Sequence, residues 1–165
     1  MGYELRGIIA PARALRPLRA FVNGVVVDLG QGLGLVPMTP ALFDEIRRGD
    51  EAGLRFAPAR LFPPRLDLLL AAWSVDDPLA YVEADYFGGI GSQFAVAWHG
   101  GALVLGPLVL TEDEPWPAPG WSPISQALRH LGVSVGRHYD EFDAIGLGRH
   151  RSAQDWISAP PAPKV

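Results

Sequence analysis

LAYVEADYFGGIGSQFAVAW, residues Leu79 to Trp98, reads as two β-strands joined by a glycine turn. From Leu79 to Phe87 the residues alternate between two faces. Leu79, Tyr81, Glu83, Asp85 and Phe87 share one, and Ala80, Val82, Ala84 and Tyr86 share the other. The even-numbered face is apolar and is expected against a core. The odd-numbered face is mixed, with Glu83 and Asp85 side by side. Gly88, Gly89 and Gly91 supply the positive φ that a tight hairpin requires. The return strand, Gln93 to Trp98, places Phe94, Val96 and Trp98 together. A second turn at His99-Gly100-Gly101 leads into Ala102 to Leu105, which predicts a three-stranded antiparallel meander.

Gly-Gly-Ile-Gly is a weak match to a phosphate-binding loop. Such a loop needs a helix after the glycines, whose N-terminus holds the phosphate. Here a second β-type segment follows and no Lys-Ser/Thr pair is present, so the glycines belong to a hairpin.

Working outward, the chain has 165 residues, a length that predicts one domain. Hydrophobic residues make up 48%, enough for a sizeable core, and charged residues 19%, below the usual share of about a quarter. The net charge of −4 argues against non-specific nucleic-acid binding, which needs a basic face. The absence of cysteine removes disulfides, thiolate metal sites and a thiol nucleophile, and fits a reducing compartment. The first residues lack the order of regions of a secretory signal. The densest apolar run, Leu66 to Trp73, contains Asp67 and is too short for a bilayer. The expectation is a cytoplasmic chain with no membrane and no nucleic-acid partner.

Tyr3 to Ala10 predicts a first strand. Ala12 to Phe21 predicts a short helix interrupted at Pro17, with Arg13, Arg16 and Arg19 along a solvated side. Val25 to Leu29 and Leu33 to Met38 flank Gly30-Gln31-Gly32 as a second hairpin. Thr39-Pro40 caps a helix carrying Leu42, Phe43 and Ile46, stopped at Gly49. A loop from Asp50 to Ala59 follows. Leu61 to Ser74 predicts a helix with a Leu66, Leu69, Leu70, Trp73 stripe. Gly106 to Gly120 is a proline-rich loop with an acidic knot at Glu112, Asp113 and Glu114, flanked by Trp116 and Trp121. Ser122-Pro123 caps a helix with Ile124, Leu128 and Leu131 inward and Gly132 at its end. These elements predict an α+β fold, an antiparallel or mixed sheet of about five or six strands with helices mainly on one face. Residues 1–157 are expected to form the domain and 158–165 a disordered tail.

Three groups are candidates for chemistry. Glu83 and Asp85, with Tyr81 beside them, form a carboxylate pair of the kind that holds a metal or works as acid and base; the plainer reading is a solvent- or partner-facing sheet surface. His138 with Asp140, Glu141 and Asp143 has hard-metal character, but carboxylates also favour helix N-termini. Arg149-His150-Arg151 suits an anion or a pairing with that acidic group. No nucleophile elbow and no zinc-type histidine spacing is present. The expectation is no catalytic residue, no metal and no cofactor.

The acidic strand and turn Tyr81-Val82-Glu83-Ala84-Asp85-Tyr86-Phe87-Gly88-Gly89-Ile90-Gly91-Ser92-Gln93, the apolar strand ending at Trp98, Ile124 to Val133 (Ile-x-Gln-Ala-Leu-Arg-x-Leu-Gly-Val) and Asp140-Glu141-Phe142-Asp143 together resemble a group of small bacterial proteins. Some of these are similar to toxin-neutralising immunity proteins. The resemblance covers roughly the second half of the chain, the scale of a small domain. It implies a non-catalytic protein whose partner is a toxin. Glu83, Asp85, Tyr81, Glu112, Asp113 and Glu114 would then engage a basic partner, steered by charge and anchored by Trp116 or Trp121. The competing expectation is a small metal-dependent hydrolase using Glu83 and Asp85, with His138 or Asp140.

Overall fold

A computed structural model describes residues 2–48, 56 and 58–160. The fold is α+β. Its strands are β1 (Tyr3–Pro11), β2 (Val27–Asp28), β3 (Leu33–Pro37), β4 (Leu79–Phe87), β5 (Ile90–His99) and β6 (Ala102–Leu110). They form one sheet in the order β2-β3-β1-β4-β5-β6, and every pairing is antiparallel. The meander expected from the glycine turns is therefore one half of the sheet, with Phe87 opposite Ile90 across Gly88-Gly89. Both turn glycines have positive φ, which a side chain at either position would resist.

The helices are α1 (Pro40–Arg47), α2 (Leu66–Trp73), α3 (Pro123–His130), α4 (Glu141–Ala144) and α5 (Ala153–Ser158), with 3₁₀ segments at Ala12–Ala20 and Leu147–Arg149. The first 3₁₀ segment explains the arginine spacing. At three residues per turn, Arg13, Arg16 and Arg19 stack in an exposed column while Leu15 and Leu18 stack in a buried one. The caps of α1 and α3 are those expected: Thr39 Oγ1 accepts from the Leu42 N–H at 3.1 Å, and Ser122 Oγ accepts from the Ser125 N–H at 3.2 Å.

The helices do not gather mainly on one face. One core joins Ala80, Val82, Ala84, Ala95 and Ala97 to Ile124 and Leu128 of α3 and to Trp156 of α5. A second joins Leu79, Tyr81, Phe94, Val96 and Trp98 to Leu15, Leu42 of α1 and Leu66 and Leu70 of α2. The odd-numbered face of β4 is thus covered by the first half of the chain and the even-numbered face by the second. Strict alternation suggested one wet face. What alternates is size, with alanine and valine under α3 and bulky aromatics under α1 and α2.

Other boundaries move for local reasons. The helix expected from Leu61 begins at Leu66, after a turn in which Arg65 has φ 78°. The strand expected from Val25 to Leu29 pairs only at Val27–Asp28. Chain expected as loop from Gly106 remains strand to Leu110, because Pro107 sits on an edge strand beside a register shift, where a missing N–H is tolerated. Ala153–Ser158 is a helix, docked by Trp156, which is 2% exposed. The expected helix stop at Gly49, residues 50–55 and 57 of the expected loop and residues 161–165 of the expected tail lie outside the described residues. No helix among the described residues is long and apolar enough to cross a membrane.

Candidate functional site

Cross-strand partners share a face, so the register assembles the site. Arg6, Glu83, Phe94 and Val109 form one row across β1, β4, β5 and β6. The next row is Glu4, Asp85 and Ser92, and the hairpin end adds Phe87 opposite Ile90. All project from the odd-numbered face, beyond the edge of the core formed with α1 and α2. Over these rows lies a cleft of about 400 Å³, walled by Arg60 on one side and by Thr111, Glu112 and Asp113 on the other.

Glu83 is its floor and is not a surface carboxylate. It is 6% exposed. Oε1 accepts from the Arg60 N–H at 2.6 Å, and Oε2 accepts from the Leu61 N–H at 2.8 Å and from the Tyr81 hydroxyl at 2.7 Å. The charge that looked available to a partner instead ties the loop at 60–61 to the sheet. Tyr81 is fully buried, which corrects its expected place at the surface. Burial, and then the Glu83 charge beside it, hold its phenol well above the ordinary range.

Asp85 remains at the surface, half-buried, with Arg60 at 3.6 Å. Arg6 pairs with Glu4. Glu114 is consumed by its own turn, accepting from the Thr111 N–H and hydroxyl at 3.1 and 3.0 Å. Glu112 and Asp113 are exposed on the cleft wall. The lining therefore holds four carboxylates, Glu83, Asp85, Glu112 and Asp113, against two guanidinium groups, Arg6 and Arg60.

The tryptophans do not edge this cleft. Trp116 is 51% exposed and stands edge-on to Tyr86 at 5.4 Å, on the opposite, even-numbered face. Trp121 lies under the Arg129 guanidinium at 5.5 Å, beside α3. The apolar groups next to the acidic rows are Phe87, 73% exposed, and Ile90, 58% exposed. Phe87 was legible on the acidic face by alternation, and Ile90 follows from the two-residue turn. Arg60 carried no sequence signal, because the loop that returns it to the sheet has no periodic pattern.

The acidic group at 140–143 lies on the other side of the sheet, where burial first and the Asp140 charge in addition, set against the Gln93 hydrogen bond, leave the Tyr86 phenol pushed up to about 12. Asp140 caps α4 by accepting from the Asp143 N–H at 2.9 Å. Glu141 is buried and takes the Arg129 Nε–H at 3.0 Å, and Asp143 meets His138 at 3.2 Å. Arg149 and His150 do not pair with this group. Arg149 donates to the Asp28 and Gly146 carbonyls and lies over the Trp156 ring, and His150 meets that ring edge-on. Among the described residues, no group of three or more His, Asp or Glu is placed to hold a metal ion. Compared with known protein families, curated proteins and solved structures, the chain matches none.

Proposed function

We propose that this chain is a non-catalytic binding protein that receives a basic segment of a protein partner in the cleft, in the manner of an immunity protein neutralising a toxin. The observation that carries the reading is the charge on the cleft wall: Glu83 is spent on the loop at 60–61, each guanidinium already stands beside a carboxylate, and Glu112 and Asp113 are left exposed. A concave acidic wall focuses field lines and draws cationic groups at long range. The neighbouring Phe87–Ile90 lip offers the exposed apolar contact that holds a partner once it arrives. The preferred partner segment is thus basic with an aliphatic or aromatic flank.

The hydrolase reading is not favoured by the same geometry. A carboxylate that binds a metal or moves a proton needs unengaged lone pairs, and three donors already engage most of those of Glu83. Without it, Asp85 stands beside Arg60. A pull-down with the product of a neighbouring toxin-like gene tests the binding reading. Capture by the wild type and loss of capture by Glu112→Lys/Asp113→Lys is the expected result. No capture, or capture indifferent to the charge reversal, overturns it.

A further inference from the structure

We propose that the outer edge of β6 is the seam of a homodimer, in which two copies pair antiparallel about a two-fold axis near Gly106. β6 ends the sheet order, so its outer edge has no neighbouring strand among the described residues, and the opposite edge strand, β2, has only two residues. The hydrogen-bonding phase follows from the hairpin. Phe87 and Ile90 flank the two-residue turn and face each other, so alternate residues of β5, namely Gln93, Ala95, Ala97 and His99, direct their backbone groups toward β6. Leu103 and Val109, opposite Trp98 and Phe94, then turn their N–H and C=O outward.

Edge strands ordinarily guard such groups with lysines, charges or bulges. Ala102–Leu110 contains no charged or polar residue, and Leu103, Val104 and Val109 are 39%, 45% and 41% exposed. Its guards are confined to the middle of the strand: two register shifts between Leu103 and Leu108, with Gly106-Pro107 in the second, where Pro107 has no N–H to donate, so Leu103 and Val109 on either side remain available. A two-fold axis at the kink sets Leu103 of each copy opposite Val109 of the other and places the two kinks face to face. The same axis brings Glu112 and Asp113 of one copy beside the β5–β6 turn of the second. There His99 and His130 are exposed, 6.2 Å apart, and offer imidazole N–H donors to the carboxylates. Acid thus meets imidazole at both ends of the seam, and the Asp77 carboxylate near His99 is already held by Arg13. The arrangement is isologous and closes at two copies. It adds the second copy's turn to the outer wall of each cleft, yet it stands on the edge geometry alone and not on the binding reading.

Sedimentation velocity of the full chain across a dilution series tests the proposal. The expected species has twice the 17.8 kDa mass of one chain, dissociating on dilution, and Leu103→Lys/Val109→Lys sediments as a single chain whose thermal transition matches that of the dissociated wild type and does not depend on concentration. Amide exchange in the wild type gives a readout independent of the variant: the Leu103 and Val109 N–H groups are slowed at high concentration and exchange fast on dilution. A wild type that stays monomeric throughout, open-ended polymers, a dimer that survives the double lysine substitution, or concentration-independent exchange at both amides would each overturn it.

Discussion

Glu83 shows how one side chain can be placed correctly by its sequence and still be misjudged in role. Alternation puts it on the odd-numbered face of β4, and there it is. Nothing local reveals that the chain at Arg60 and Leu61, more than twenty residues earlier, returns to cover it. A buried carboxylate with three donors is stable only while those donors stay in place. Glu83→Gln keeps the shape but sets an amide against donors that want an acceptor. The expected cost is about 1.5–3 kcal/mol in urea unfolding, the range for hydrogen bonds to a charged group. Binding by the folded fraction should be retained. A variant of wild-type stability that no longer binds would return Glu83 to the recognition surface.

At the scale of elements, what was legible is what is local. Thr39-Pro40 and Ser122-Pro123 each combine a side-chain acceptor with a residue that needs no partner for its missing N–H, and both helices start there. Ser122→Ala is expected to cost about 1 kcal/mol by chemical denaturation, since it removes the acceptor of a buried N–H. What was not legible depends on tertiary placement. α5 is short and polar in composition, and it is held by Trp156 entering the core with α3. The 3₁₀ segment is pinned from outside: Arg13 donates to both oxygens of Asp77, at 2.5 and 2.9 Å, just before β4. That hydrogen bond, with the Arg13 charge, holds the Asp77 carboxyl below its ordinary value. A depressed folded pKa contributes stability that is fully present above the ordinary carboxylate range, near pH ~4, and is lost as pH falls through the folded value. Asp77→Asn should therefore be less stable than the wild type at neutral pH and should converge with it on acidification. Unfolding midpoints that differ equally at neutral and acid pH would contradict this.

Across the whole molecule, the strands and their order around the glycine turns could be anticipated. The two-sided covering of the sheet could not. Large residues on the odd-numbered face, Tyr81, Phe94 and Trp98, were the sign that it too is a core face, but they were mixed with Glu83 and Asp85 in a pattern that resembles a wet surface. The packed part ends at Tyr81 and Phe94, and the polar rows beyond it form the cleft. In the proposed function this cleft recruits a basic partner by charge and holds it by the hairpin lip. Stopped-flow association with the captured partner, at low and high ionic strength, tests it most directly. Glu112→Lys/Asp113→Lys is expected to slow association about tenfold or more at low salt, with the difference shrinking as salt screens it. Phe87→Ala should chiefly speed dissociation. Equal association rates for wild type and charge-reversed chain at every ionic strength would contradict the claim.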